Sequence, residues 1–455
     1  MRKKRDPLRQ DPKTEFELSV RNLPISELRL DSRNPNRHER RQIVKIGRSI
    51  KKFGFLVPVL IDGERNVIAG HGRILAGESV GMSHVPTIEV THLDRAQRKT
   101  FMIADNQLCR IGVWDDRLLG EIFKELSELE LDFSLELTGF STAEIDLLID
   151  GLSDPTANED DEADRLTPIA GPSVSKLGDN WALGPHRLSC ADARAAASYH
   201  TLMDGQEAAA VFTDPPYNLK IDGNVSGLGR VRHREFPMAS GELSEADYTR
   251  FLHDVLGLLA GHCKDGAVLY VCIDWRHLPE ILAAVRAIGC RLLNICVWVK
   301  HNAGMGSFYR SQHELVLVLK TGPAPHRNNI ELGRHGRNRS NVWQYRGAND
   351  FGRGTEEGGS VTFHPTPKPV AMVADAIMDC TERGDIVLDA FLGSGTALIA
   401  AERTGRRCFG MELDPLYVDA AIRRWQAYTG GRARHAVTGR FFDDVATEAE
   451  GGHDR

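Results

Sequence analysis

Two consecutive prolines directly behind an apolar strand constrain this chain more than any other stretch. Ala208-Ala209-Ala210-Val211-Phe212 has the composition of a short buried strand, and Thr213-Asp214-Pro215-Pro216-Tyr217-Asn218 follows it. Pro215 and Pro216 can continue neither a ladder nor a helix, so the chain must leave the sheet stiff and extended. An acid, rigid carbonyls and an aromatic face are thereby presented together at a strand's C-terminal end, where ligands bind in open α/β sheets. That set suits one chemical problem. An exocyclic amine of a nucleobase is a poor nucleophile because its lone pair is delocalised into the ring. A carboxylate and a carbonyl that accept its N–H groups favour the pyramidal nitrogen. An aromatic ring holds the base flat, and the base must leave the duplex to be reached. An ordinary strand-to-loop turn has the same local pattern, so the reading depends on what lies further along the chain.

A second constellation lies at 385–412. Asp385-Ile386-Val387-Leu388-Asp389-Ala390 reads as a buried strand, and Phe391-Leu392-Gly393-Ser394-Gly395-Thr396 as a sharp turn into a helix from Ala397 to Arg403. Cys408-Phe409-Gly410-Met411 is a further strand, ending in Glu412. Glycines in the turn let a ligand lie against bare backbone, and an acid about 20 residues on can accept both hydroxyls of a ribose. The pattern alone does not separate a dinucleotide from S-adenosylmethionine. Between the two constellations, strands at Gly266–Val271, Arg291–Lys300 and Leu315–Leu319 alternate with helices at 244–262 and 278–288, and Trp181 to Leu188 reads as a hairpin. This alternation means a layered α/β domain. The glycine-rich, basic segment Gly223–Arg234 is expected to order on binding.

At 455 residues there is room for two or three domains. No apolar run approaches the ~20 residues that span a bilayer, and the basic Met1–Arg5 is not followed by the apolar core of a secretory signal. Eight cysteines without a C-x-x-C pair indicate reduced thiols in a cytoplasmic setting and no metal site. The net charge of −6 does not advertise a nucleic-acid binder. Its distribution is more informative. Residues 1–53 and Arg334–Arg339 are basic and Glu159–Asp164 is acidic, a pattern compatible with DNA contact and equally with solvated helix faces.

In the first module, Ile43, Ile46, Ile50 and Phe53 share a helix face that Gly54 ends. Leu56–Ile61 and Asn66–Ala69 read as paired strands, and Gly70-His71-Gly72-Arg73 opens a helix whose N-terminus can receive an anion. Residues 94–150 read as helices with core packing: Leu118, Leu119, Ile122, Phe123 and Leu126 make one apolar face, and Ser141–Glu144 has capping-box spacing. The acidic, proline-bearing stretch after Asp154 reads as a linker.

The first module resembles the ParB/sulfiredoxin-like N-terminal domain, carried by Leu56–Ile61, the box Ile68–Arg73 and Val85–Val90. ParB proper has Gly-x-Arg-Arg in the box; here Gly72 stands where the first arginine would be. This departure makes nucleotide binding and hydrolysis doubtful and favours a binding or docking module. The second half resembles the amino-group (N6-adenine/N4-cytosine) DNA methyltransferases. Asp214–Tyr217, Val297–Lys300, His364-Pro365-Thr366-Pro367-Lys368-Pro369 and the turn at Gly393–Gly395 arrive in the order of the permuted β class.

The resemblance implies an α/β fold: a Rossmann-like methyltransferase sheet, a smaller α+β ParB-like domain and a helical connector. The expected boundaries are a basic tail at 1–20, the ParB-like domain at 21–110, a helical extension at 111–152 and an acidic linker at 153–174. The methyltransferase domain follows at 175–430, with target recognition at 321–360 and a tail at 431–455. By the same resemblance, Asp214 and the Pro215 carbonyl accept from the target amine, Pro216 stiffens the loop and Tyr217 stacks on the base. Asp389, Phe391, Gly393, Gly395 and Thr396 shape the S-adenosylmethionine pocket, with Glu412 on the ribose, Lys368 at the methionyl end and Asp192 at the adenine. The family has glycine before that aspartate; this chain has Ala191. Double-stranded DNA is the implied partner, no membrane is involved, and a homodimer is left open. Aspartate at 214 leans towards adenine N6. Cytosine N4 poses the same chemistry, and methylation of an amide goes with asparagine at that position. A ParB-like DNA-binding protein on a degenerate methylase scaffold is the alternative of another class; intact Asp214, Tyr217, Gly393, Gly395 and Glu412 speak against it.

Overall fold

A computed structural model describes residues 18–129, 131–152, 162–165, 172–218, 241–300, 308–333, 337–345 and 367–451. The basic terminus at 1–5, the segment 223–234 and His364-Pro365-Thr366 lie outside the described residues. The chain divides into two compact units, Met1–Ser141 and Thr142–Arg455.

In the first unit, β1 (Val20–Pro24), α1 (Arg40–Phe53), β2 (Val59–Ile61), β3 (Val67–Ala69), α2 (His71–Ser79) and β4 (His84–Glu89) precede α3 (Arg95–Ile111) and α4 (Asp116–Ser127). The sheet runs β1-β4-β2-β3, and its small core is Val59, Ile61, Val67, Ile74 and Val85. Gly54 closes α1, its N–H reaching the Ile50 carbonyl. The Gly70 box sits in the first turn of α2: Gly70 is the N-cap at φ +105°, a conformation that excludes most side chains, and Gly72 packs on the His38 ring. The apolar face expected on α4 is only partly used. Phe123 is buried against Phe140, whereas Leu118 and Ile122 stay exposed.

The second unit begins with α5 (Thr142–Asp150). It continues through β5 (Asn180–Leu183), β6 (His186–Cys190), α6 (Ala196–Met203), β7 (Ala208–Thr213), α7 (Glu245–Gly261), β8 (Cys263–Ile273) and α8 (Leu278–Ala287). There follow β9 (Arg291–Val299), β10 (His313–Lys320), β11 (Val342–Gln344), α9 (Val370–Met378), β12 (Ile386–Asp389), α10 (Thr396–Thr404) and β13 (Arg407–Glu412). The last elements are α11 (Pro415–Thr429), β14 (Arg434–His435) and α12 (Phe442–Gly451).

One sheet of ten strands runs β11-β9-β10-β8-β7-β12-β13-β6-β5-β14. The pairings from β8 through β7, β12 and β13 to β6 are parallel. Helices on both faces explain why the central strands are apolar throughout: Ala210, Val211, Val387 and Leu388 are fully buried. Helix α7 shows how the sequence specifies its element. Ser244 caps it by accepting from the Asp247 N–H, and Tyr248, Phe251, Leu252, Val255, Leu256 and Leu259 recur at helical spacing on its buried face. Each such side chain contributes about 1.5–3 kcal/mol on burial.

The centre of the sheet positions the site. From β7 the chain goes by way of α7 to β8 on one side, and from β12 by way of α10 to β13 on the other. Their C-terminal loops therefore diverge and leave a crevice between neighbouring strands. That placement unites two segments about 175 residues apart, and Thr213 Oγ1 donates to Asp389 Oδ1 at 3.0 Å across the join.

Two features differ from the sequence-based expectation, and a third falls on one side of an open alternative. The end of the chain, read as a tail, is built into the domain: β14 pairs with β5, and Phe442 packs on Trp181. Parts of the acidic connector are likewise anchored, since Asp419 accepts from Val174 N and Ser175 N, and Asp164 accepts from Val370 N. In the stretch read as target recognition, Arg337 and Arg339 are mostly buried in ion pairs with Asp375 and Asp379. Trp343 is buried, and the Tyr345 hydroxyl donates to Asp375. These side chains pack.

Candidate active site

An open pocket at the crevice is lined by Asp214, Pro215, Pro216 and Tyr217 on one side and by Asp389, Phe391, Gly393, Thr396 and Glu412 on the other. Lys368 and Pro367 complete the rim. The two sequence constellations therefore open onto one space.

On the β7 side, Pro215 and Pro216 take the chain out of the sheet as their chemistry requires. Tyr248 on α7 fixes the turn by donating to the Pro216 carbonyl at 2.9 Å. Asn218, at φ +52°, accepts from Gly241 N and Leu243 N and donates to the Leu243 carbonyl, which ties the two ends of the intervening segment together. Asp214 has both oxygens engaged. Oδ1 accepts from the Tyr217 hydroxyl at 2.5 Å and Oδ2 from Lys368 Nζ at 2.5 Å. Lys368 also reaches Glu314 Oε2 at 3.0 Å, and the other Glu314 oxygen accepts from Lys300. The order of charges is Lys300, Glu314, Lys368, Asp214, alternating in sign. Lys300 and Lys368 both stand over the Trp298 ring, at 4.9 and 5.9 Å from its centroid.

Burial pushes the Asp214 carboxyl above its ordinary range against the pull of Lys368. Burial also works against charge on Glu314, but Lys368 and Lys300 together outweigh it and bring that group down to about 2. Lys368 is raised despite burial, because Asp214 and Glu314 flank it. The ammonium is therefore fully charged.

The other side is built differently. Gly393 and Gly395 have φ of +53° and +86°, which lets the chain turn from β12 into α10. A Cβ on Gly395 would stand 3.1 Å from that of Ala421, so the turn also lies tight on α11. Arg424 of α11 holds the Ser394 carbonyl at 3.0 Å. Glu412, at the end of β13, accepts from Gly393 N at 2.9 Å and Asp414 N at 2.8 Å. Asp389 accepts from Phe391 N and Thr213 Oγ1, each at 3.0 Å. Among the described residues, no cation sits on either acid. Burial dominates and raises each to about 7.

This half fits an adenosyl ligand. The turn offers bare backbone, Glu412 stands at the strand end on the pocket wall, and Phe391, Leu392 and Leu413 supply apolar walls.

Most residues expected at the site are brought together. Two are placed differently from their anticipated contacts. Lys368, expected at the methionyl end, pairs with Asp214 and Glu314. Ala191 and Ala193 line the pocket, while the Asp192 carboxylate between them is held by Arg194 at 2.7 Å. Glu314 escaped the sequence reading, and Lys300 entered it only as the end of the Val297–Lys300 stretch, without a role. The one visible signal for Glu314 is an acid at the head of an otherwise apolar strand, His313-Glu314-Leu315-Val316-Leu317.

The chain is similar in sequence to known DNA methylases. The DNA methylase family matches residues 208–423, and the ParB-methyltransferase HTH domain matches residues 117–177. Helix α5 and all but the first residue of α4, which the sequence shows only as packed structure, fall within the second match. Type II methyltransferase M2.MboI of Moraxella bovis is 24% identical over 229 residues, covering 48% of this chain and 81% of that protein. Type II methyltransferase M.HpaI of Haemophilus parainfluenzae is 23% identical over 235 residues, covering 49% and 69%. Among solved structures, TTHA0409 of Thermus thermophilus, a putative DNA modification methylase complexed with S-adenosyl-L-methionine, is 22% identical. It covers 56% of this chain and 96% of its own, with a TM-score of 0.37. With the Asp214 loop ahead of the glycine turn in sequence and beside it in space, the chain carries a domain of the S-adenosylmethionine-dependent, amino-group (N6-adenine or N4-cytosine) DNA methylase family, joined to a ParB-methyltransferase HTH domain.

Proposed function

We propose that the chain methylates adenine at N6 in double-stranded DNA, at specific sites. The observation that carries the choice of base is the aspartate at the head of the loop. In the family this chain resembles, aspartate there leans towards adenine, and in this pocket Asp214 and Pro215 both line the wall.

Asp214 and the Pro215 carbonyl each accept an N–H of the flipped base's amine, which draws the nitrogen lone pair out of the ring and aims it across the crevice. Tyr217 stacks on the base, and its hydroxyl, anchored on Asp214, keeps the ring in register with the acid. Glu412 takes the ribose hydroxyls, while Asp389, Phe391, Gly393, Gly395 and Thr396 shape the rest of the cofactor half. When bound, S-adenosylmethionine supplies a methyl group on a sulfonium, whose sulfur keeps the electron pair of the C–S bond as the N–C bond forms. In this reading Asp214 receives the proton that the nitrogen then loses.

The test is transfer of label from tritiated cofactor to duplex DNA, followed by digestion and separation of the modified nucleosides. Label in N6-methyladenine is the expected result; label in N4-methylcytosine sinks the choice of adenine.

A further inference from the structure

The acid that pairs with Lys368 opposite Asp214 has no part in the mechanism above, yet it is buried beside it. Glu314 opens β10, its side chain 10% exposed, and it holds Lys368 on one oxygen and Lys300 on the other. A buried carboxylate costs several kcal/mol unless it is paired, and it has two cations where one would neutralise it. Lys368, 5% exposed, lies between two acids in the same way.

The consequence concerns what happens when the amine arrives. Asp214 Oδ2 is occupied by Lys368 at 2.5 Å, and Tyr217 occupies Oδ1. An ammonium tied to Asp214 alone would compete with the amine for the carboxylate, and moving it away would strand a buried charge. With Glu314 at 3.0 Å on its far side, Lys368 can slide towards a second carboxylate without ever being unpaired. We propose that Glu314 is a positioning residue that shares Lys368 with Asp214 and takes over the ammonium as the target amine binds, with Lys300 as its counterweight. This rests on the reading of Asp214 as the acceptor of the amine, not on which base is methylated.

The proposal predicts opposite electrostatic responses from two neighbours. The Asp214 carboxyl is faced by Tyr217 and Lys368, by Glu314 from β10, by Cys272 from β8, by Asp389 from β12 and by Tyr248 from α7. Of these, Glu314 is a like charge that raises it and Lys368 an opposite charge that lowers it. Removing the charge of Glu314 therefore shifts the acid limb of kcat to lower pH while fixing Lys368 on Asp214. Removing Lys300 lets Glu314 draw Lys368 away and shifts the limb to higher pH.

The experiment measures total label transferred from tritiated S-adenosylmethionine to duplex DNA between pH 5 and 9, whichever base receives it. For Glu314→Gln we expect kcat to fall about 10–100-fold with KM for cofactor nearly unchanged, and the acid limb to move down by roughly one pH unit. Glu314→Asp should recover part of kcat. Lys300→Met should move the limb upwards, which keeps the test decisive if Glu314→Gln does not fold. An unshifted limb in the folded variants, or shifts in the same direction, overturns the proposal. So does a loss of cofactor affinity that matches the loss of kcat. Asp214→Ala is the control: transfer surviving there sinks the underlying reading of the site as well, whereas a dead control with an unaltered Glu314→Gln sinks the sharing of Lys368 alone.

Discussion

The base side and the cofactor side of the site each hold two acids and treat them differently. On the base side Lys368 bridges Asp214 and Glu314; Glu314, with Lys300 as its second cation, is brought down to about 2, whereas Asp214, with one cation, is still raised by burial. On the cofactor side, Asp389 and Glu412 have only amide and hydroxyl donors among the described residues, and both rise to about 7. Burial is shared, so the difference comes from the counter-charge: neutral donors do not outweigh desolvation here, whereas two cations do. The half that reacts has its charges set by neighbours. The half that binds is poised near neutrality.

The largest effect expected from this contrast is its separation by mutation. Asp214→Ala should lower transfer by about 10²–10⁴-fold while leaving cofactor affinity within a few-fold, as read by calorimetry. Glu412→Ala should do the reverse at the binding step, weakening cofactor by about 10–100-fold for the lost charge-assisted hydrogen bonds to the ribose. Equal losses of affinity in both variants would mean that the halves are not distinct.

A distant substitution sharpens the contrast by striking both halves alike. Asp146 of α5 forms a fully buried ion pair with Arg406 at 2.8 Å and also accepts from Arg383. Asp146→Ala strands Arg406 and should destabilise the domain by about 3–5 kcal/mol, measured by denaturant unfolding. Cofactor binding and transfer, corrected for the folded fraction, should be unchanged.

The smallest effects are those of pH, and they fall on the cofactor half. Below about 7, protons on Asp389 and Glu412 remove the acceptors, so cofactor affinity should weaken from pH 8 to 6, by at most about tenfold per unit for each group. Glu412→Gln should flatten that dependence. Stability without cofactor should run the other way. The unfolded chain releases these protons near 3.8 and 4.5, and the folded chain keeps them until about 7. The folded state therefore binds more protons in that window, and stability falls as pH rises through it, by at most about 1.4 kcal/mol per pH unit for each group. Unfolding free energies at pH 5 and 8 measure this difference.

Local patterns made much of this legible from the sequence. Ala208–Pro216 and Asp385–Thr396 each contain a strand, its terminator and the residues presented there, so both halves of the pocket could be identified separately. Ser244, Gly54 and Gly395 mark helix ends for reasons internal to a few residues. What stayed hidden is set by pairing across distance. Glu314 precedes an apolar run, which reads as the polar start of a strand; only the neighbouring β9 and the loop holding Lys368 supply its two cations. Arg337 and Arg339 could be read from the sequence as DNA-contacting or as ordinary surface or packed side chains, because Asp375 and Asp379, which bind them, come about 40 residues later. Leu118 and Ile122 have helical spacing, yet spacing does not say what covers the face they make, and both remain exposed.

The end of the chain carries a practical lesson. Trp181 is enclosed edge-on by His435 and Phe442, and β14 supplies the outermost hydrogen bonds of the large sheet. A clone trimmed after Gly430, where the composition turns polar, would leave an indole and a strand edge in water. It would invite edge-to-edge aggregation in the flask long before any question about methyl transfer could be asked.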